Sequence, residues 1–155
     1  MKPLIDCRIL ETRLDVQQLR SDVPGLPGCG GYVAFEGWVR NSNHGRAVTR
    51  LDYEVYDALA LKELRRICEF AADRFHLGFV SAVHRKGQLA VGDAAVVVQV
   101  LSRHRREAFE GCRYVIDQLK ARVPIWKKEF YEDGSAVWTQ CHEHTSPAPL
   151  TLDGL

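Results

Sequence analysis

Two lysines, Lys120 and Lys127, stand on either side of Pro124 in the stretch SRHRREAFEGCRYVIDQLKARVPIWKKE, residues 102–129. An amine partly withdrawn from water beside other cations loses proton affinity, so it can act as base, nucleophile or hydrogen-bonding partner of a leaving oxygen. Helix spacing alone favours a plainer reading of Lys120, a surface pair with Asp117 three residues earlier. His104 and Arg105 precede the helix pattern, where free backbone N–H groups and the helix dipole favour an anion. A solvated first turn explains them equally well by spacing, except that a cation there opposes the dipole. Residues 103–128 hold eight Arg and Lys against three acids, whereas the whole chain has a formal charge of +1. Positive charge concentrated in this way predicts a basic concavity and an anionic ligand. Arg40, where a strand pattern gives way to loop, is a further candidate, although a solvated strand end is the reading its spacing favours.

The elements that must position these residues follow from periodicity. Ala108, Phe109, Cys112, Val115, Ile116, Leu119 and Val123 recur at three- and four-residue spacing, which predicts a helix over residues 105–123 with that face buried. Pro124 lacks an N–H and forces its predecessor out of helical geometry, so residues 125–130 leave extended. In that segment Ile125, Lys127 and Glu129 share one side and Trp126, Lys128 and Phe130 the other, so Lys127 and Lys128 cannot do the same job. Upstream, residues 5–10 predict a strand and residues 15–21 a short helix, and the breakers of residues 24–31 predict a loop. Alternation through Val33, Phe35, Gly37 and Val39 returns in Leu51, Tyr53 and Val55, and predicts an antiparallel hairpin closed by the Asn- and Gly-rich residues 40–46. A structural helix follows over residues 58–75, then strands over 79–84 and 88–91. The valine-rich run 94–101 predicts a central strand buried on both faces. Residues 126–131 and 136–141 predict a last strand pair. Hairpins with interspersed helices give an α+β fold with helices on a mainly antiparallel sheet.

At 155 residues the chain has room for one compact domain, expected over residues 1–142, with residues 143–155 expected to be a mobile tail. No apolar run approaches a membrane span, so the expectation is a cytoplasmic protein with no membrane partner. Five cysteines without a CxxC pair argue against a disulfide framework or zinc ribbon, and Cys112 on the buried stripe reads as core. Cys141-His142-Glu143-His144 looks like a ligand cluster, but alternate positions do not close a tetrahedral site, so no metal is expected. Balanced charge weakens the case for a nucleic-acid partner. The alternatives are a non-catalytic module that holds a phosphate, nucleotide or RNA on the basic helix, and a scaffold whose aromatic strands form a dimer surface.

Four motifs carry a further reading: Gly37-Trp38-Val39-Arg40-Asn41-Ser42-Asn43-His44-Gly45, His84-Arg85-Lys86-Gly87, His104-Arg105-Arg106-Glu107-Ala108-Phe109 and Pro124-Ile125-Trp126-Lys127-Lys128-Glu129. In order and spacing the chain resembles the large catalytic subunits of molybdopterin synthase from about residue 30 to residue 138. The resemblance implies an α/β hammerhead fold and a homodimer at the centre of a heterotetramer with two small ubiquitin-like sulfur-carrier subunits. It implies a sulfurtransferase without a cofactor, in which the carrier's C-terminal Gly-Gly thiocarboxylate donates sulfur to cyclic pyranopterin monophosphate (precursor Z), giving the molybdopterin dithiolene. Carried over by position, it implies that Lys120 and Lys127 are catalytic and that Arg40, His104 and Arg105 bind substrate. Some members of that family have a further arginine after the final tryptophan, where this chain has Cys141-His142, and His142 is assigned as its substitute in binding substrate.

Overall fold

A computed structural model describes residues 2–140. Two sheets and three helices are built from this stretch. The first sheet has the order β1-β5-β7-β2, formed by β1 (Leu4–Leu10), β5 (Leu77–Arg85), β7 (Ala94–Ser102) and β2 (Gly31–Trp38). Here β1 runs parallel to β5, and the pairs of β7 with β5 and β2 are antiparallel. The second sheet has the order β3-β4-β8-β9, from β3 (Ser42–Asn43), β4 (Arg46–Val55), β8 (Ile125–Tyr131) and β9 (Ala136–Gln140), with β6 (Gly87–Ala90) also on β4. All its pairs are antiparallel. The architecture is therefore α+β with a mainly antiparallel strand arrangement, as the sequence predicts.

The core explains why β7 reads as an unbroken apolar run. Helices α2 (Asp57–Arg74) and α3 (Arg105–Arg122) pack on one face of the first sheet, where Leu64, Ile67, Cys68 and Ala71 meet Val98, Val100, Val115 and Leu119. On the other face Leu14 and Leu19, the latter from α1 (Val16–Ser21), cover Val83 and Val97. Both faces of β7 are thus removed from water. A smaller core of Val39, Val48, Leu51, Leu89 and Tyr131 sits beneath the second sheet, and Tyr53 packs against both cores.

Two expectations need correction. Residues 31–38 and 46–55 do not form a hairpin, because β2 pairs with β7 and β4 pairs with β8 and β6. The doubly buried β7 requires a hydrogen-bonded neighbour on each edge, and β2 fills one of them instead of closing locally. The turn residues of the intervening loop do make a hairpin, but a much smaller one, between β3 and β4. There His44 (φ 49°) and Gly45 (φ 76°) supply the two positive φ values that a two-residue turn of this hand requires. Phe109 is not on the buried stripe and is 63 % exposed, because the buried face of α3 centres on Ala108, Cys112, Val115 and Leu119 and turns Phe109 outward. Helix α3 otherwise follows its pattern. It ends at Arg122, and Val123 is already extended (φ −74°, ψ 129°), as the following Pro124 demands.

Candidate active site

Lys120 enters the site from the last turn of α3. It lines a cleft between the two sheets whose other walls include Trp38 from β2, Tyr53 from β4, His84 from β5, Val96 from β7 and Ile125 from β8. Leu119, one residue earlier, is buried in the main core, so packing of the helix fixes the direction from which the lysine enters the cleft.

Lys127 comes from β8, and its cross-strand partner on β4 is Tyr53. Directly opposed residues of an antiparallel pair point to the same side with Cβ atoms about 5 Å apart. The residue that walls the Lys120 cleft is therefore the immediate neighbour of Lys127. The Lys127 amine lies 3.3 Å from Glu129 Oε1. Glu129 is only 2 % exposed, and its carboxylate also accepts hydrogen bonds from Asn43 Nδ2, at 2.9 and 2.8 Å to its two oxygens, and from the Tyr131 hydroxyl. Burial works against ionisation here. The bonds from Tyr131 and Asn43 and the charge of Lys127 outweigh it, so the carboxyl titrates below its ordinary value and stays ionised near neutrality. Glu129 also raises the Tyr131 phenol, which keeps its proton as the donor. Asn43 belongs to β3, so this buried carboxylate ties the loop that follows Arg40 to the strand that carries Lys127.

Lys128 points to the opposite side of β8, over the rings of Phe130 and Trp138 at 5.3 and 5.5 Å. The alternation expected along this strand is thus observed. Arg40 is exposed, two residues past Trp38 of the cleft wall.

His104 and Arg105 lie elsewhere. Both are exposed at the N-terminus of α3, with His104 as the N-cap and Arg105 as the first helical residue. Fifteen residues of helix separate Arg105 from Lys120, a span of about 22 Å. Within one chain the structure does not bring these two groups together. Nor does the local excess of positive charge form one concavity. Arg106 pairs with Glu110 and Arg113 with Asp117 along the helix, and Arg122 donates to Gln118. Arg85 and Lys86 of the second motif are held by Asp93 and Asp57. His142 and the cluster around it lie outside the described residues.

Three site residues carry no signal in the sequence that would give them a role. Strand alternation places Glu129 on the side of Lys127, but nothing local says that it is buried. Tyr53 and His84 sit on strands that read as structural. The His84 ring meets the Tyr53 ring edge-on, with centroids 5.1 Å apart, and its Nδ1 donates to the carbonyl of Arg85 at 2.7 Å. Burial, with the nearby charge of Lys120, pushes its pKa down to about 4 against the bond to Arg85, so the imidazole is neutral. Cys112, packed under α3, is pushed up to about 11 by burial, so its thiol is neither ionised nor accessible.

Comparison with known proteins adds an independent result. The family model described as MoaE protein matches residues 9–122. A molybdopterin synthase catalytic subunit of Pyrococcus abyssi is 45% identical over 115 residues, covering 74% of this chain and 77% of that protein. Molybdopterin synthase catalytic subunit 1 of Mycobacterium tuberculosis is 43% identical over 132 residues, covering 85% and 88%. Among solved structures, molybdopterin synthase from Staphylococcus aureus superposes with a TM-score of 0.78 at 34% identity, covering 84% of this chain and 94% of that one.

Proposed function

The chain belongs to the MoaE protein family, that of the molybdopterin synthase catalytic subunits, and from that premise we propose how its site works. The reaction is sulfur transfer from the C-terminal thiocarboxylate of a small ubiquitin-like carrier subunit to cyclic pyranopterin monophosphate, which builds the molybdopterin dithiolene. The relatives' description as catalytic subunits supports a companion subunit. The observation that carries the mechanism is the cleft of Lys120, walled by the residue that faces Lys127 across the strand pair.

The sulfur comes from outside the chain. Cys112 is buried with a protonated thiol and cannot serve as nucleophile. A carrier tail ending in two glycines has no side chains to obstruct its entry between the sheets. Lys120, at the cleft, meets the thiocarboxyl group, steadies its charge and supports the charge that develops as sulfur leaves. Lys127, held by Glu129, offers a second cation whose direction is fixed.

Arg40, His104 and Arg105 bind the phosphate and pterin, with His142 as a further contact. Because about 22 Å of helix separates Arg105 from Lys120, one chain's helix N-terminus does not serve its own cleft. In the homodimer His104 and Arg105 of one copy serve the cleft of the other. The exposed Phe35 and Phe109, on neighbouring β2 and α3, give that dimer an apolar contact face. No helix among the described residues is long and apolar enough to cross a membrane, and we assign the protein to the cytoplasm. The test is to mix the purified chain with thiocarboxylated carrier and the cyclic pterin. Dithiolene product that disappears in Lys120→Ala supports the reading, and near-normal turnover by that variant removes Lys120 from the mechanism.

A further inference from the structure

Two thiols meet in the main core and take no part in the chemistry above. Cys7 lies in the middle of β1, opposite Ala82 of β5, and packs with Ile5 and Ile9 on the face that α2 covers. Cys68 comes from α2 onto that same face and has no exposed surface. Both are free thiols, and the Cys68 side chain is hydrogen-bonded to that of Cys7. Spacing in the sequence does not announce the pair, because one member belongs to a strand and the other to a helix, with residues 8–67 between them.

The two surroundings differ. β1 is an edge of the first sheet, and Cys7 on it is half-buried, whereas Cys68 is sealed beneath. The bond to Cys7, and after it burial, hold the Cys68 thiol well above its ordinary pKa, so it keeps its proton near neutrality. One outward and one inward thiol in contact form the arrangement of an attacking and a resolving cysteine.

We propose that Cys7 and Cys68 are a reversible oxidation site: a small disulfide such as oxidised glutathione converts them into a disulfide that staples the edge strand β1 to α2. Cys7, as thiolate, attacks one sulfur of the reagent, whose S–S bond breaks to release one glutathione thiolate, and Cys7 keeps the other half as a mixed disulfide. Cys68 then gives its proton to solvent base, its sulfur bonds to that of Cys7, and the second glutathione leaves as thiolate. The protein loses two electrons and two protons, and the reagent is reduced to two molecules of glutathione. Sulfurs already in hydrogen-bond contact need only side-chain rotation and a small shift of the edge strand to reach bonding distance. The crosslink closes residues 8–67 into a loop, and that loop contains Arg40, Asn43 and Tyr53. Oxidation therefore restrains, in the unfolded chain, a segment that supplies much of the site. Neither sulfur lines the Lys120 cleft, so the staple guards the fold and does not gate the reaction. In a reducing compartment the pair rests as thiols and closes when the small-thiol pool is oxidised.

The test incubates the whole folded chain with oxidised glutathione in the absence of reductant, quenches by alkylation, and maps the peptides by mass spectrometry without reduction. The expected product links the peptides of Cys7 and Cys68 and reverts with dithiothreitol. Cys7→Ser should lose the link and leave Cys68 unmodified until urea is added. Cys68→Ala, which keeps a small apolar side chain in the core, should accumulate glutathione on Cys7 instead. Oxidised wild type should show a higher urea midpoint than the reduced protein, a rise that Cys7→Ser lacks. An unreacted pair, a lasting glutathione adduct on Cys7 of the wild type, a link that forms only in urea, or a bond from Cys68 to another cysteine overturns the proposal. So does a linked protein whose midpoint is no higher than that of the reduced chain. If Cys68→Ala does not fold, the wild-type map set against Cys7→Ser decides alone.

Discussion

Replacing Glu129 by glutamine tests the tie between the Arg40 loop and the Lys127 strand. The carboxylate is 2 % exposed and accepts from Asn43 on both oxygens, from Tyr131, and from Lys127 at 3.3 Å. In Glu129→Gln the carboxamide oxygen still accepts one donor, but its NH2 group faces another. At least one charge-assisted bond is lost, and the buried amide of Asn43 or hydroxyl of Tyr131 loses its acceptor. Hydrogen bonds to charged groups contribute about 1.5–3 kcal/mol, and breaking a fully buried ion pair costs about 3–5 kcal/mol. Lys127 is 27 % exposed and recovers part of its hydration, so we expect a loss of about 2–4 kcal/mol in unfolding free energy. Urea unfolding at neutral pH measures this, and a cycle with Asn43→Leu should give a coupling of at least about 1 kcal/mol. Because the same bonds orient Lys127, sulfur transfer should fall along with stability. A loss under about 1 kcal/mol with no coupling to Asn43 would refute the view that this carboxylate fastens the two segments.

Other outcomes follow from the same geometry. His84 titrates at about 4 when folded against an ordinary 6.5. Between those values the unfolded chain takes up a proton that the folded one refuses, so stability is full above pH 6.5 and falls by about 3 kcal/mol as pH drops to 4. The difference in urea midpoint between wild type and H84Q should change over that window and stay constant above it. Cys112 should resist thiol reagents at pH 8 until the chain unfolds, and Cys112→Ala should retain sulfur transfer, whereas a nucleophilic role demands its loss. A Cβ on Gly31 would come within 3.0–3.2 Å of backbone atoms of His104 and Arg105. Gly31→Ala should therefore cost about 1–3 kcal/mol in urea unfolding, and it should raise KM for the cyclic pterin more than KM for the carrier.

The parts legible in the sequence are those set by local rules. Pro124 stops α3 within a residue of where it must, and strand alternation separates Lys127 from Lys128 because both depend on backbone periodicity alone. Residues 94–101 announce a central strand because burial on both faces leaves no polar positions. Pairing choices are not local. The neighbouring strand patterns at residues 33–39 and 51–55 suggest a hairpin, yet the partner of β2 is decided by the unmet edge of β7, more than fifty residues downstream. Phe109 fits a helical stripe by spacing, and only the docking of α3 on the first sheet shows that the buried arc excludes it. Glu129 and His84 escaped for a related reason. A charged or titratable residue in a strand reads as solvated until its distant partners are known, and those partners are Asn43 for one and Tyr53 with the Lys120 cleft for the other.

The central claim is that the Lys120 cleft receives a carrier-borne thiocarboxylate and uses it on a phosphorylated pterin. Single-turnover reaction of preformed thiocarboxylated carrier with the cyclic pterin, on wild type, Lys120→Ala and Lys127→Ala, tests it most directly. The account predicts dithiolene from the wild type and at least about a hundredfold slower formation by Lys120→Ala, as expected for loss of one preorganised group that stabilises developing charge. Carrier binding should be little changed. Dithiolene formed by Lys120→Ala at a rate close to wild type would contradict it.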